Sequence, residues 1–227
     1  MKELIEKILT CLPQYLADFG ALISGPKEFI AQRNTRAEVT LVQSLVFFGV
    51  SVGLVVAMTA PILAPEKDFW TFFASRAAGS LLGVALTALS LLFAWRIVGG
   101  KAPARSFFVT SAYFFGAPVV VFCTFLLVSA GVFKVFAHDI FKEFMYALVN
   151  SQPMPDMAGS SIPMLSLSIV AVGFVVVSVW CFIAWGAYRQ LNSLSKSRSF
   201  IAALVSGLLS LPIGFIVAFV ELAMADV

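Results

Sequence analysis

Residues 95–108, WRIVGGKAPARSFF, join two long apolar runs and decide how the chain is arranged. This connector carries three cations, no acid, two glycines and one proline. Gly99, Gly100 and Pro103 predict that one helix ends here and the next begins, because glycine closes helices and proline suits their first turn. A connector so short and so basic predicts a tight hairpin between two neighbouring helices.

The composition indicates that lipid, rather than water, surrounds most of the chain. Of 227 residues, 60% are hydrophobic and 12% are charged, and the mean hydropathy is +0.98. Soluble domains have roughly 25% charged residues, and half of that density cannot cover a water-facing surface. The net charge of +3 is too small to indicate nucleic-acid binding. The three cysteines form no CxxC pair, so neither a disulfide framework nor a metal site is indicated.

Five apolar segments are long enough to cross a bilayer. A hydrocarbon core about 30 Å thick needs about 20 apolar residues in a helix, and lipid offers no partner for free backbone N–H and C=O groups. The chain is therefore predicted to be an all-α integral membrane protein, with a five-transmembrane-helix bundle over residues 39–225. The predicted spans lie between Glu38 and Glu66, at 71–98, between Arg105 and Lys134, at 162–188 and at 199–223.

Lysine and arginine are distributed unequally between the two sides of these spans. Eleven lie in the N-terminal arm, in the connector at 95–108 and in the connector after the fourth span, whereas four lie on the opposite side. Because cytoplasmic loops retain positive charge, the pattern predicts a cytoplasmic N-terminus and a C-terminus on the opposite side. Trp70, Trp95, Trp185 and Tyr188 fall at predicted span ends, which is typical of an interfacial aromatic belt. Gap filling between helices is the alternative for these rings.

Two amphipathic segments accompany the spans. Residues 1–38 form a predicted cytoplasmic arm and elbow helix, in which apolar residues recur at helical spacing over 4–23. Pro13 should kink this helix or begin a second one. The arm either lies in the headgroup plane or packs under the membrane helices. Between spans three and four, residues 133–148 show the same spacing and predict a short interfacial helix.

Several residues within the spans are candidates for helix packing. Small residues recur four positions apart in three spans, and such rows let helices approach closely. Pro118 and Pro212 lie inside the third and fifth spans, where each removes one backbone hydrogen bond. Arg76 and Glu221 fall near the same predicted side of the membrane and are candidates for an ion pair. The candidate packing residues are Gly49, Gly53, Gly79, Gly83, Ser210, Gly214 and Ala218.

No set of residues in the sequence is typical of a reaction centre. The chain has no GxSxG, HExxH or P-loop pattern. His138 is the single histidine, and one histidine cannot make a usual zinc site or a bis-histidine haem site. The charges cluster at span ends rather than along a proton path. We therefore expect no enzyme activity, no catalytic residue, no cofactor and no metal.

Two short motifs resemble those of the Ypt-interacting protein (Yip) domain family. SGPKEFI carries Gly25, Pro26 and Phe29, where the family commonly has a Gly-Pro-aromatic element. GGKAPARSFFVTSAYFFGAPVVV has a glycine-bearing loop, then a tyrosine, then a proline, as the family does. In this second motif the matching residues are Gly99, Gly100, Tyr113 and Pro118. Together with the five spans, the resemblance covers roughly residues 24–225.

The resemblance implies a compact member of the bacterial inner-membrane type. Such a protein is non-catalytic and organises membrane or partner proteins through contacts with lipids and helices. Ile23-Ser24 and Ala112-Tyr113 stand where eukaryotic members often have an acidic residue and a Gly-Tyr pair, so binding of a small GTPase is not expected. The expected partners are membrane lipids, and other membrane proteins or further copies of this chain. The alternative is a small-solute transporter or channel, which the two span prolines and the scattered hydroxyl groups favour.

Overall fold

The computed structural model of the chain describes residues 2–35, 39–63, 69–149, 152–154 and 161–225. Within these ranges the regular structure is entirely helical, with eight helices and no strand, which confirms the all-α prediction. The helices are α1 (Lys2–Ser24), α2 (Pro26–Thr35), α3 (Val39–Leu63), α4 (Phe69–Ile97), α5 (Ala104–Phe136), α6 (His138–Val149), α7 (Ser161–Asn192) and α8 (Lys196–Ala225).

Five of the described helices are long and apolar enough to cross a membrane, and they are α3, α4, α5, α7 and α8. A helix satisfies its own backbone hydrogen bonds, which is what the interior of a bilayer requires. The prediction of a multi-pass membrane protein is therefore confirmed. The apolar stretches are Leu41–Ala60, Phe69–Ile97, Ala104–Phe136, Ser161–Asn192 and Lys196–Val220.

Two helix boundaries differ from those predicted. Pro13 lies inside α1, which runs without interruption to Ser24, so the prediction that a second helix begins at Pro13 is wrong. A proline removes a single donor from the helical ladder, and the neighbouring turns keep theirs. The second difference is that α5 extends beyond Lys134 to Phe136, and α6 begins only at His138.

The chain divides into two compact units. Unit 1 comprises Met1–Val120 and Trp180–Val227, and unit 2 comprises Val121–Val179. Within unit 1, α4 packs along α8 and against α3, and α1 contacts α2.

The seven predicted packing residues differ in what surrounds them. A Cβ at Gly83 of α4 would lie 3.2 Å from Cγ2 of Val217, so this glycine allows the close approach of α8. A Cβ at Gly53 of α3 would lie 3.8 Å from the ring of Phe73, and Gly79 is buried.

The other predicted packing residues have no such neighbour or are more exposed. Among the described residues, no atom outside the local helix lies within 4 Å of a Cβ at Gly49 or Gly214. Ser210 is half-buried, and Ala218 is exposed.

In unit 2, two serines join α5 to α7. The Ser129 hydroxyl donates to the Ser166 carbonyl at 2.9 Å, and the Ser166 hydroxyl donates to the Ser129 carbonyl at 3.2 Å. Nearby, a Cβ at Gly173 would lie only 2.6 Å from Cβ of Phe125, so the helices approach too closely there for a side chain. Hydroxyl pairs and glycine contacts of this kind are usual between membrane helices.

Large apolar side chains are exposed along α7 and α8. Soluble proteins rarely expose many large apolar side chains together, whereas a helix that contacts lipid needs an apolar surface. The most exposed of these side chains are Phe182 at 83%, Phe215 at 80% and Phe219 at 72%.

Candidate functional site

An aromatic cluster in unit 1 packs the N-terminal arm against α3 and α5. Tyr15 of α1 stacks on Phe47 of α3 with ring centroids 5.0 Å apart, and Phe47 lies 5.0 Å from Tyr113 of α5. Phe29 of α2 meets Tyr113 edge-on at 5.1 Å. Aromatic pairs contribute about 0.5–1.5 kcal/mol beyond the area that they bury, so these rings fasten both arm helices. We call this cluster, with the polar groups beside it, the arm clasp.

The apolar stripe of α1 faces the arm clasp. Leu22 is buried in the same cluster, and Leu12 and Phe19 pack against it. Leu16, on the outer face of α1, is 60% exposed. Of the two positions predicted for the arm, these contacts favour packing on the membrane helices.

An ion pair joins α1 to α2 beside the aromatic rings. Asp18 Oδ1 accepts hydrogen bonds from Arg33 Nη2 at 2.5 Å and from Gln14 Nε2 at 2.7 Å. Arg33 Nη1 also donates to Gln43 Oε1 of α3 at 3.0 Å. The guanidinium carbon of Arg33 lies 5.1 Å from the ring centroid of Phe29, within the range of a cation–π contact. One guanidinium group therefore connects α1, α2 and α3.

The polar groups of the arm clasp are buried to different degrees. Asp18 is 8% exposed at its side chain and Arg33 is 23% exposed, so the carboxylate depends on its partners more than the guanidinium does. The Tyr15 hydroxyl lies 3.2 Å from Ser51 Oγ. Burial raises the pKa of Tyr15, and the hydrogen bond with Ser51 offsets only part of that rise. The phenol therefore stays neutral at neutral pH.

Two atoms of the arm clasp have unused hydrogen-bonding capacity. Asn34 Nδ2 donates to Thr110 Oγ1 at 3.1 Å and thus ties α2 to α5. Among the described residues, Asn34 Oδ1 and the Tyr113 hydroxyl are buried without a hydrogen-bond partner. Most buried polar atoms in proteins have such a partner. Each of these two atoms therefore has capacity for one further hydrogen bond.

The connector at 95–108 forms a hairpin between α4 and α5. Gly99 has a φ of 95°, which side chains other than glycine rarely adopt. The Gly100 N–H donates to the Trp95 carbonyl at 2.7 Å, and the Gly99 N–H donates to the Arg96 carbonyl at 3.0 Å. These bonds satisfy carbonyls that the end of α4 would otherwise leave free.

The turn between α7 and α8 is attached to this hairpin by Asn192. Asn192 Oδ1 accepts a hydrogen bond from the Ala102 N–H at 3.3 Å, and its Nδ2 donates to the Tyr188 carbonyl at 2.9 Å. A Cβ at Gly100 would lie 2.4 Å from that same Oδ1, so only glycine fits there. The Tyr188 hydroxyl lies 2.7 Å from the Ser111 hydroxyl of α5. The two connectors are therefore joined by a hydrogen bond from the backbone of one to a side chain of the other.

The aromatic residues near these connectors are inside unit 1. Trp95 and Tyr188 are fully buried, so the interpretation of both as belt residues is wrong. The ring centroid of Trp95 lies 5.7 Å from that of Trp185 and 6.4 Å from that of Tyr188, because the joined connectors bring the rings together. Trp185 Nε1 donates to Ser199 Oγ at 2.9 Å. Trp70 is 56% exposed, as a belt residue would be.

The structure places the residues of the two Yip-like motifs as follows. Gly25 separates α1 from α2, and Pro26 is the first residue of α2, a position that suits proline. Phe29 and Tyr113, one from each motif, are in contact in the arm clasp. The two hairpin glycines lie at the end of α4, and Pro118 lies inside α5.

The predicted pair of Arg76 with Glu221 stays a prediction. Arg76 lies near the start of α4, and its guanidinium carbon is 5.6 Å from the ring centroid of Phe72. The side chain of Glu221 lies outside the described residues. In the part of the chain that is described, no three His, Cys, Asp or Glu side chains group as metal ligands, and His138 is exposed.

The predicted site residues do not include Asp18, Arg33 or Asn192. Asp18 lies three positions after Tyr15 and four before Leu22. That spacing puts Asp18 on the buried stripe and is the signal that could have identified it. Asn192 has no such signal, because its partner in the other connector, Ala102, is remote in the sequence.

Comparison of the chain with models of protein families, with curated proteins and with solved structures finds no match. The relationship to the Yip domain family therefore rests on the two motifs and the five spans, and it stays a prediction.

Proposed function

We propose that the chain is a non-catalytic, multi-pass membrane protein of the Yip type. It organises membrane or partner proteins through contacts with lipids and helices. The observation that carries the proposal is the contact of Phe29 with Tyr113 at 5.1 Å. These residues belong to the two separate motifs on which the family resemblance rests, and their contact fastens the arm to α5. A contact between residues of two separate motifs is easier to explain by the architecture of a family than by chance.

In this proposal the protein lies in a bacterial inner membrane with a cytoplasmic N-terminus and a C-terminus on the opposite side. The excess of lysine and arginine in the arm and in the connectors at 96–105 and 189–198 supports that direction. The amphipathic helix α1 then lies at the cytoplasmic face. On the opposite side α6 is an interfacial helix, which is supported by its exposed Lys142 and Tyr146 and its half-buried Phe144.

The proposed partners are membrane lipids and other membrane proteins or further copies of this chain. The exposed apolar faces of α7 and α8 supply surfaces for lipids and helices. The outer face of α1, with Leu16 and Ile23 exposed, supplies a second surface beside the arm clasp. A small GTPase is not part of the proposal.

A small-solute transporter or channel is the second candidate. The observation that favours it is a set of buried hydroxyl groups on α3 and α5 in unit 1: Ser44, Ser51, Thr110 and Ser111. However, Ser44 donates to the Leu41 carbonyl at 2.8 Å and Ser51 to the Phe47 carbonyl at 3.0 Å. These bonds within α3 leave less capacity for a solute, so the organising function is the better supported one.

A flux assay separates the two candidates. The purified full chain is reconstituted in phosphatidylcholine vesicles loaded with potassium ions or a neutral amino acid. We expect efflux equal to that of protein-free vesicles. Efflux well above that background would favour the transporter and contradict the organising function.

Crosslinking in cells tests the organising function directly. A photoreactive phenylalanine analogue replaces Leu16 on the outer face of α1, and a control chain carries it at the exposed Phe136 of α5. We expect protein adducts from position 16 that decrease severalfold when Phe29→Ala loosens the arm clasp. Adducts to lipid alone from position 16, or adducts that Phe29→Ala leaves unchanged, would contradict a partner at the arm.

A further inference from the structure

The two connectors that meet at Asn192 are both basic. Residues 96–105 and 189–198 contain no acidic residue. Their cations are Arg96, Lys101, Arg105, Arg189, Lys196 and Arg198. We call the surface that these two connectors form the paired-hairpin surface.

Two guanidinium groups lie at one turn of the paired-hairpin surface. Arg198 Nη1 lies 3.4 Å from where a Cβ at Gly99 would be. Arg96 donates to the Ala102 carbonyl at 2.8 Å, and the neighbouring Ala102 N–H donates to Asn192. The fold therefore brings cations from the two connectors together, although they are remote in the sequence.

This positive charge is not balanced within the described residues. Lys101, Lys196 and Arg198 are exposed, and Arg105 and Arg189 are half-buried. None of these five forms an ion pair with a described carboxylate. Like charges held on one surface repel each other unless an anion lies between them. An anion bound at this surface would reduce that repulsion.

Apolar side chains are exposed directly beside these cations. Ile97 follows Arg96 at the end of α4 and is 57% exposed. Phe200 lies two residues after Arg198 in α8 and is 65% exposed. Because α4 packs along α8, a cationic surface continues into an apolar one. A cationic surface next to an apolar one matches an amphiphile with an anionic head and a hydrocarbon tail.

We propose that the paired-hairpin surface binds the phosphate-bearing headgroup of an anionic phospholipid, with the acyl chains along α4 and α8. Guanidinium groups form short, charge-assisted hydrogen bonds with phosphate oxygens, and basic clusters at the membrane surface attract anionic lipids. The inference rests on the proposed function for the direction of the chain in the membrane. It deepens that function by naming the class of lipid.

Lipid titration of the purified full chain tests the inference. Native mass spectrometry measures binding of dioleoylphosphatidylglycerol and dioleoylphosphatidylcholine in a neutral detergent. We expect the wild type to prefer phosphatidylglycerol, and the double variant Lys101→Gln with Arg198→Gln to lose that preference. Each cation contributes about 1 kcal/mol, so affinity should decrease on the order of fivefold for each one removed. Arg96 is left in place because it holds the turn.

A matched control removes the same charge elsewhere. Lys134→Gln with Lys142→Gln changes two exposed lysines that the charge distribution assigns to the opposite side of the membrane, and we expect wild-type preference. Equal binding of both lipids by the wild type, or equal losses in the two double variants, would overturn the inference. So would displacement of the lipid by millimolar inorganic phosphate, because the site would then take a free anion. The crosslinking result at position 16 is independent, so the proposed function and this inference can fail separately.

Discussion

Gly100 lies where the hairpin of α4 and α5 meets Asn192, and its missing side chain allows the contact. The sequence predicts a helix end from Gly99 and Gly100, because glycine closes helices without strain. It cannot show that Asn192 occupies the space in which a Cβ at Gly100 would lie. That requirement arises from the tertiary fold and is visible only in the structure.

We expect Gly100→Ala to destabilise the protein by about 1–3 kcal/mol, as overpacking does in other cores. The added Cβ would lie 2.4 Å from Asn192 Oδ1 and 2.8 Å from the backbone oxygen of Trp95. The backbone atom cannot move without disturbing the end of α4. Thermal unfolding of the detergent-solubilised protein measures the change.

Gly207→Ala is the control for this substitution. Among the described residues, no atom outside the local helix lies within 4 Å of a Cβ at Gly207. Alanine also favours a helix interior by about 1 kcal/mol over glycine. The control should therefore melt at or above the wild-type temperature. If Gly100→Ala and Gly207→Ala melt at the same temperature, the contact with Asn192 is not what requires glycine at position 100.

The arm is an element whose position depends on a few side chains. The sequence predicts its helical periodicity, but an apolar stripe is consistent with two positions of the arm on the membrane. The stripe specifies which face is buried and not what buries it. Asp18 and Arg33 favour the position on the membrane helices, because Arg33 bonds both Asp18 of α1 and Gln43 of α3.

We expect Asp18→Asn to loosen α1 and α2 without unfolding the spans. Arg33 would lose its charged partner, and a buried group left unpaired costs about 1–3 kcal/mol. Amide hydrogen exchange should therefore accelerate roughly 5- to 150-fold in α1 and α2. Glu28→Gln is the control, because it removes the same charge from an exposed position on α2. Equal exchange in the two variants would show that the ion pair does not hold the arm.

The remaining elements show which features of a helix the sequence can predict. Long apolar runs predicted all five spanning helices, because length and composition decide that property alone. The exposed or buried state of Trp95 and Tyr188 could not be predicted from their places near span ends. It depends on whether another helix covers the ring, and here the joined connectors place Trp185 against Trp95.

At the scale of the whole molecule, the number of spans decides where the chain ends lie. The five spans of the described chain predict that its two ends lie on opposite sides of the membrane. We expect Ser195→Cys, in the exposed turn before α8, to react with a membrane-impermeant maleimide only after cells are permeabilised. Tyr146→Cys, exposed on α6, should react in intact cells. The background carries alanine at the free cysteines Cys11, Cys123 and Cys181.

Phe182→Cys is the control for the labelling. Phe182 is 83% exposed and lies within the apolar stretch of α7, where lipid excludes the water-soluble reagent from a thiol. Reaction of positions 146 and 195 from the same side would contradict the predicted direction of the chain. Reaction at position 182 would show that α7 does not lie in the hydrocarbon.

The division of the chain into two units was not predictable from the sequence. Apolar composition is similar along all five spans, so hydropathy gives no boundary within α5 or α7. The boundary at Val120 and Trp180 depends on which side chains meet, such as Ser129 with Ser166 in unit 2. Serine is common in membrane helices, and its partner becomes evident only in three dimensions.

The bond between Asn192 and the first hairpin has a practical consequence for protein engineering. A fluorescent domain or affinity tag spliced in at Lys101 would pull the Ala102 amide from Asn192 and release the second turn at the same time. Two surface loops that look like independent fusion points are therefore coupled, and an insertion in the first disturbs the second as well. Single-residue probes are the safer choice at either one.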